Sequence, residues 1–290
     1  MLENTQQLKT QLTEISQTSD LYPREWLGLS SPPKTLYALG NTGLLKRRKL
    51  AVVGSRRTPM NSLKLGTKIA EELSHSLTLV TGAADGGDTA VIEGVLQGSG
   101  EIICLLAGGF SALPQASLPL LERVIKRGLI LSPHDFDTPV RVFSYEYRNE
   151  LLAAFCEGVF VLGAGEKSGA LITAKYAKQM GKPIFALPYA PNTAAGVGCN
   201  ALIKEGGRLT ECAEDITSCL GVELKTKREK PTLTPEEERI YEYLREAGET
   251  HASVLAQQTQ VPAYKLRALL SSLEVKGLVV SVGGNRYLVV

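Results

Sequence analysis

The sequence predicts an α/β protein, a parallel sheet covered by helices on both faces, followed by a small winged-helix domain. Three observations predict it. Short apolar strands alternate with helix-period segments from Leu50 to Leu187. Small-residue turns follow several of those strands. From Leu233 onward the pattern is three amphipathic helices and then a hairpin.

The predicted strands are Leu50–Gly54, Leu77–Thr81, Ile102–Leu106, Leu129–Ser132, Val159–Leu162 and Ile184–Leu187, separated by segments such as Leu65/Ile69/Leu73 and Leu120 to Ile125. Continuous apolar strands of this length belong in a parallel sheet with both faces covered. Ligands of such sheets bind beyond the carboxyl ends of the strands, where loops and helix N-termini converge. Ahead of the sheet, Leu8, Leu12 and Ile15 at i, i+4, i+7 predict a short amphipathic helix. A turn-rich lead-in with Pro32-Pro33 and Gly40-Asn41 follows it, so residues 1–45 are expected to precede a sheet domain at 46–220. Residues 221–232, with Lys225, Lys227, Arg228, Lys230 and Pro231, predict a linker. In the domain at 233–290, Thr234-Pro235-Glu236-Glu237 combines an N-cap, a proline at N1 and first-turn acids. Helices are expected at 235–247, 252–259 and 262–276, and a wing from Leu278–Val282 and Arg286–Val290.

The chain has 290 residues, 43% of them hydrophobic, which suits one large α/β domain plus a small module. No apolar run approaches the roughly 18–20 residues that span a bilayer. The start, Met1-Leu2-Glu3-Asn4-Thr5, lacks a basic region and an apolar stretch, so no secretory signal is expected. Cys104, Cys156, Cys199, Cys212 and Cys219 make no C-x-x-C pair, which reads as reduced thiols in a cytoplasmic protein without a metal site. The net charge is +2; the segment from Leu233 has six Lys/Arg against seven Asp/Glu and carries −1, leaving +3 for the remainder. A polyanion site is therefore expected in the larger part, as a local pocket.

The most informative stretch is Ala51-Val52-Val53-Gly54-Ser55-Arg56-Arg57, a buried strand running into a small-residue turn with two arginines. Backbone N–H groups and a helix N-terminus at such a turn favour an anion, and a guanidinium fork suits phosphate oxygens. The spacing matches neither the dinucleotide G-x-G-x-x-G nor the P-loop, so no nucleotide cofactor is implied. Thr81-Gly82-Ala83-Ala84-Asp85-Gly86-Gly87-Asp88 is a second turn, in which Asp88 can cap the next helix or orient an arginine. Lys167-Ser168-Gly169 is a third, entering a helix through Thr173, with Ser168 as cap and Lys167 at the rim. Alone, the second turn reads equally as a tight βα connection and the third more readily as a capped helix; three at one sheet edge point to phosphate. Tyr145 to Glu150 opens another helix, and its Arg148-Asn149 is the better candidate for a sugar–phosphate contact, since Tyr147 reads as core. His75, His134 and His251 have no partner at catalytic spacing and read as surface or helix-end residues. No paired-carboxylate, Ser-His-Asp or metal-ligand constellation is present.

Read in order, these motifs resemble the DNA-processing protein A family, also called DprA or Smf. The resemblance begins at Tyr22-Pro23, Pro32-Pro33, Leu36-Tyr37 and Gly40-Asn41, and continues through Val53-Gly54-Ser55-Arg56, Thr81-Gly82, Gly86, Asp88 and Arg148-Asn149. Lys167 to Ala174 is similar to the family's K-S-G-S-L-I-T-A, and Gly198, Asn200 to Ile203 and Gly206 to its G-x-N-x-L-I-x-x-G. The resemblance covers roughly residues 20–210. It implies an extended Rossmann-like domain that binds single-stranded DNA, forms a homodimer, and helps load the RecA recombinase in natural transformation and recombination. The expected DNA or phosphate contacts are Gly54, Ser55, Arg56, Arg57, Thr81, Gly82, Asp88, Arg148, Asn149, Lys167, Ser168, Gly169 and Thr173. Gly54-Ser55 and Gly82 are expected to donate backbone N–H groups, and Arg148 and Lys167 to flank the strand.

The chain departs from the family pattern at several points. Asp85 replaces an arginine, Gly87 an isoleucine, and Glu150 the second arginine of F-P-x-R-N-R. Val91-Ile92 stands for A-H, Gly163-Ala164 for E-A, and Pro188-Tyr189 for P-G. Two charge reversals near the pocket predict weaker DNA affinity or a changed ligand. The competing reading is an enzyme of the lysine-decarboxylase-like group, a nucleoside-monophosphate phosphoribohydrolase. Those enzymes carry a glutamate in P-G-G-x-G-T-x-x-E where this chain has Thr173, which disfavours hydrolysis. The winged helix, net −1, reads as a protein-contact or regulatory module rather than a duplex reader.

Overall fold

The computed structural model describes residues 5–98, 100–225 and 233–289. The chain divides into two units, Met1–Thr226 and Lys227–Val290. The first begins with helix α1 (Thr5–Gln11) and strands β1 (Thr13–Ser16) and β2 (Thr35–Gly40). Strand–helix alternation follows: β3 (Lys49–Gly54), α2 (Met60–Leu73), β4 (Thr78–Thr81), α3 (Gly87–Gln97), β5 (Ile102–Leu105), α4 (Leu118–Ile125), β6 (Leu129–Ser132) and α5 (Val142–Phe155). The unit closes with β7 (Val159–Gly163), α6 (Ala170–Gln179), β8 (Ile184–Ala186), α7 (Val197–Lys204), β9 (Arg208–Leu209) and α8 (Ala213–Leu220).

All nine strands form one sheet in the order β1-β2-β6-β5-β4-β3-β7-β8-β9. Strands β3 to β9 run parallel, whereas β2 is antiparallel to β6 and β1 antiparallel to β2. The chain steps outward from β3 through β4 and β5 to β6, then crosses back by α5 to β7 on the other side of β3. Position β3 is thus the switch point, where neighbouring connections leave in opposite directions and open a crevice at the strand ends. The six apolar runs predicted as strands are the central strands, buried on both faces.

The lead-in corrects the expectation. The helix ends at Gln11, and Ile15 sits in β1, buried opposite Leu36 of β2. Three apolar residues fit a helical and an alternating pattern equally over so short a stretch, and pairing with β2 decides it. The turn signal Gly40-Asn41 marks the end of β2 rather than a loop. Gly40 has φ +112°, and a Cβ there would collide with the Gly128 carbonyl. Trp26, fully buried, ties this segment to α5: its Nε1 donates to the Leu151 carbonyl at 2.9 Å, and its ring packs on Phe155 with centroids 5.0 Å apart. Losing such a side chain costs about 3–5 kcal/mol.

The second unit contains α9 (Pro235–Ala247), β10 (Thr250–His251), α10 (Ala252–Thr259), α11 (Ala263–Val275), β11 (Val279–Gly283) and β12 (Arg286–Val289). Its core joins Ile240, Leu244, Leu255, Leu266, Leu270 and Leu273. The three predicted helices and the wing are present, with β10 added to make a three-stranded sheet. Thr234 is the expected N-cap of α9, and with Glu237 it forms a capping box. The predicted linker falls mainly on residues 226–232, outside the described residues. Among the described residues no helix is long and apolar enough to cross a membrane, and no group of three His, Cys, Asp or Glu is placed to hold a metal.

Candidate nucleic-acid interface

A cleft of about 960 Å³ opens at the carboxyl ends of β3, β4 and β7, lined by the turns that follow them and by one side of α5. Eleven of the thirteen expected contacts line it: Gly54, Ser55, Arg56, Arg57, Asp88, Arg148, Asn149, Lys167, Ser168, Gly169 and Thr173.

The floor is a hydrogen-bonded relay that joins the three turns. Asp88, buried in the first turn of α3, accepts the Gly54 N–H on Oδ1 and the Ala84 N–H on Oδ2, both at 3.2 Å. Burial pushes its carboxyl up from the ordinary value, opposed by the Arg148 charge and these N–H groups. Arg148 is also buried. Its Nη1 donates to the carbonyls of Gly82 and Leu105, and its Nε to Asn149 Oδ1 at 3.0 Å. Burial pulls this guanidinium down, and the Asp88 charge works against that pull. Asn149 Nδ2 reaches the Gly169 carbonyl at 3.3 Å, completing the link to the third turn.

Several expectations change here. The Gly54 N–H is used by Asp88 and the Ser55 N–H by the Gly163 carbonyl at 2.8 Å, so neither donates into the cleft. Helix α2 starts only at Met60, so the first turn is a loop, not a helix N-terminus. Its shape is held by Ser55, whose Oγ accepts the Arg57 N–H at 3.1 Å and whose carbonyl accepts the Thr58 hydroxyl at 2.8 Å. Thr81 and Gly82 are not among the lining residues. Gly82 is small because the Arg148 guanidinium occupies the place of a Cβ. Arg148 lines the cleft, but its guanidinium is engaged by the Gly82 and Leu105 carbonyls and by Asn149, so it positions the turns. Gly54 is small because a Cβ would lie 2.9 Å from the Gly87 Cα.

The exposed cations at the rim are Arg56, Arg57 and Lys167. Ser168 is not the cap expected for α6: the N-cap position falls on Gly169, which has no side chain to cap with, and Ser168 Oγ accepts the Ala170 N–H at 3.3 Å from one residue earlier. A Cβ on Gly169 would meet open space, leaving the cleft accessible there. Thr173 lies at the base with its buried hydroxyl unpartnered. Lining residues outside the expected contacts include Tyr145, 45% exposed, and the segment at Ala194, Ala195 and Val197. The interleaving of Tyr145 with Arg148 was the available signal. Tyr147 is core-side as read, donating to the Ser31 carbonyl at 3.0 Å. His134 packs on Tyr147, half-buried, and is not a surface residue. Of the two charge reversals, Asp85 lines the cleft and Glu150 does not.

A doubly covered, mostly parallel sheet with a cation-rimmed cleft at its switch point, joined to a winged helix, defines a Rossmann-like nucleic-acid-handling class. The family model of DNA recombination-mediator protein A matches residues 13–221, and that of the DprA winged helix domain residues 225–285. The chain belongs to the DNA recombination-mediator protein A family, DprA or Smf. It is 33% identical over 198 residues to DNA processing protein DprA of Streptococcus pneumoniae, covering 68% of this chain and 70% of that one. It is 28% identical over 283 residues to Protein Smf of Escherichia coli, covering 93% and 76%. The X-ray structure of Streptococcus pneumoniae DprA superposes with a TM-score of 0.69 at 30% identity, covering 77% of this chain and 79% of that one. DNA processing protein A of Helicobacter pylori, whose structure is described for its single-stranded DNA binding mode, superposes at 0.65 with 28% identity, covering 72% and 95%.

Proposed function

We propose that the cleft binds single-stranded DNA and that the protein is a recombination mediator rather than an enzyme. The observation that carries this reading is the rim of three exposed cations, Arg56, Arg57 and Lys167, around a floor made rigid by Asp88 and Arg148. Charged forks at a pocket edge bind backbone phosphates without reading sequence. Tyr145 offers a ring face on which a base can stack. The Helicobacter pylori relative, described as binding single-stranded DNA, supports the ligand class. Thr173 stands where a nucleotide hydrolase would need its glutamate, so incubation with nucleoside monophosphates should release no free base.

Filter binding of single- and double-stranded oligonucleotides at several salt concentrations tests the reading. Single strands should bind more tightly than duplex. Arg56→Ala should weaken binding across all sequences and lower the salt slope by about 0.7, the share of one phosphate contact on a single strand. A slope and affinity unchanged by that substitution would remove the cleft as the DNA site.

Family membership also supports a homodimer, cytoplasmic placement and loading of the RecA recombinase onto the bound strand, as in transformation and recombination. Mass measurement in solution tests the dimer. Stimulation of RecA filament assembly on single strands tests the loading, and no stimulation would confine the protein to strand binding.

A further inference from the structure

The parallel strands present their amino-terminal ends on the side of the sheet away from the cleft. Arg47 stands just before β3, His75 before β4, Glu101 before β5, and Lys126 and Arg127 before β6, while Asn41 follows the antiparallel β2. Together they line a hollow of about 460 Å³. Glu101 pairs with Arg47 and accepts from Asn41 Nδ2 at 3.4 Å, which orients the Arg47 guanidinium. Lys126 and Arg127 are exposed, and no carboxylate among the described residues pairs with either. Three lysine or arginine charges thus face one acid. The cleft sets four cations against three acids, and one of the four, Arg148, is buried and bonded to carbonyls. Helices α2 and α4 end at this hollow, and a cation at each helix C-terminus offsets the dipole there. Lys126 meets that need for α4, leaving Arg47 and Arg127 as forks matched to phosphate oxygens.

We propose that this hollow is a second phosphodiester site, reached by a single strand that leaves the cleft and passes around the sheet. The inference rests on the single-strand reading of the cleft. Strands of four to six residues rise roughly 3.3 Å per residue, so the two sites lie roughly 13–20 Å apart through the sheet, and a strand that holds both must take the longer path around the sheet and the helices that cover it.

The test uses the full chain with Lys126→Glu and Arg127→Glu together, its fold checked by circular dichroism. Anisotropy is measured with oligo-dT of about 6 and about 40 nucleotides at two salt concentrations. The short strand should bind the double variant like wild type. The long strand should bind roughly 10-fold more weakly, with a salt slope lower by about 1–2. Long-strand affinity and slope equal to wild type overturn the second site while leaving the cleft reading intact. Wild-type protein that binds neither oligonucleotide overturns both.

Discussion

The carboxylate of Asp88 accepts the backbone N–H of Gly54 at 3.2 Å, so a side chain of α3 holds the end of β3. Its other oxygen holds Ala84, and its charge faces the buried Arg148. One residue thereby sets the spacing between two turns and the position of the arginine whose neighbour Asn149 reaches the third.

Asp88→Asn keeps the volume but replaces one acceptor with a donor and removes the charge opposite Arg148. A loss of about 2–4 kcal/mol is expected, because a buried charge loses its counterpart and a buried N–H its acceptor. Thermal unfolding measures it. Arg56→Ala, at the exposed rim, should stay within about 0.5 kcal/mol of wild type.

Asp85 is an exposed acid that lines the cleft beside the rim cations, as is Glu166. Asp85→Arg should raise single-strand affinity several-fold and steepen the salt slope by about 1, since a repulsive charge becomes a phosphate contact. Titration at low and moderate salt measures both.

Thr173 buries a hydroxyl that has no partner in the free protein. Thr173→Val removes an unsatisfied polar group at nearly constant volume, so stability should be unchanged or rise by about 1 kcal/mol. Single-strand affinity should fall when a ligand oxygen or nitrogen uses that hydroxyl. Equal affinity in both proteins would show that the strand stops short of the cleft base.

Glu237 in the winged helix is buried, which pushes its carboxyl up. Hydrogen bonds from Lys276, Ser272 and Thr234 outweigh burial and hold it down, from 4.5 to about 2. A depressed folded-state value stabilises the unit above pH 4.5, and that contribution, about 3 kcal/mol, is lost as pH falls toward 2. Amide exchange in α9 should accelerate over this window in wild type. Glu237→Gln should exchange faster at neutral pH and lose the acid dependence.

Much of this was legible in the linear chain because burial on both faces leaves an unbroken apolar run, and six such runs identify the central strands. The winged-helix elements were legible for a related reason: Thr234, Pro235 and the helix-spaced apolar residues Ile240 and Leu244 of α9 and Leu266, Leu270 and Leu273 of α11 act within a few residues of themselves. The antiparallel strands β1 and β2 were not, since four to six residues with turn formers at the end match several local conformations. The identity of β2 depends on pairing with β6, a contact between segments some ninety residues apart in the chain, and that of β1 on pairing with β2.

The order of residues alone determined the alternation of strands and helices, the three small-residue turns and their arginines, and the family to which the chain belongs. Tertiary structure decided which of those polar groups face a ligand. Arg56 and Arg148 are the same side chain in sequence terms, yet one is exposed at the rim and the other is enclosed by the Gly82 and Leu105 carbonyls. Hydrogen bonding and desolvation depend on neighbours brought from distant parts of the chain, and only the packed sheet supplies them.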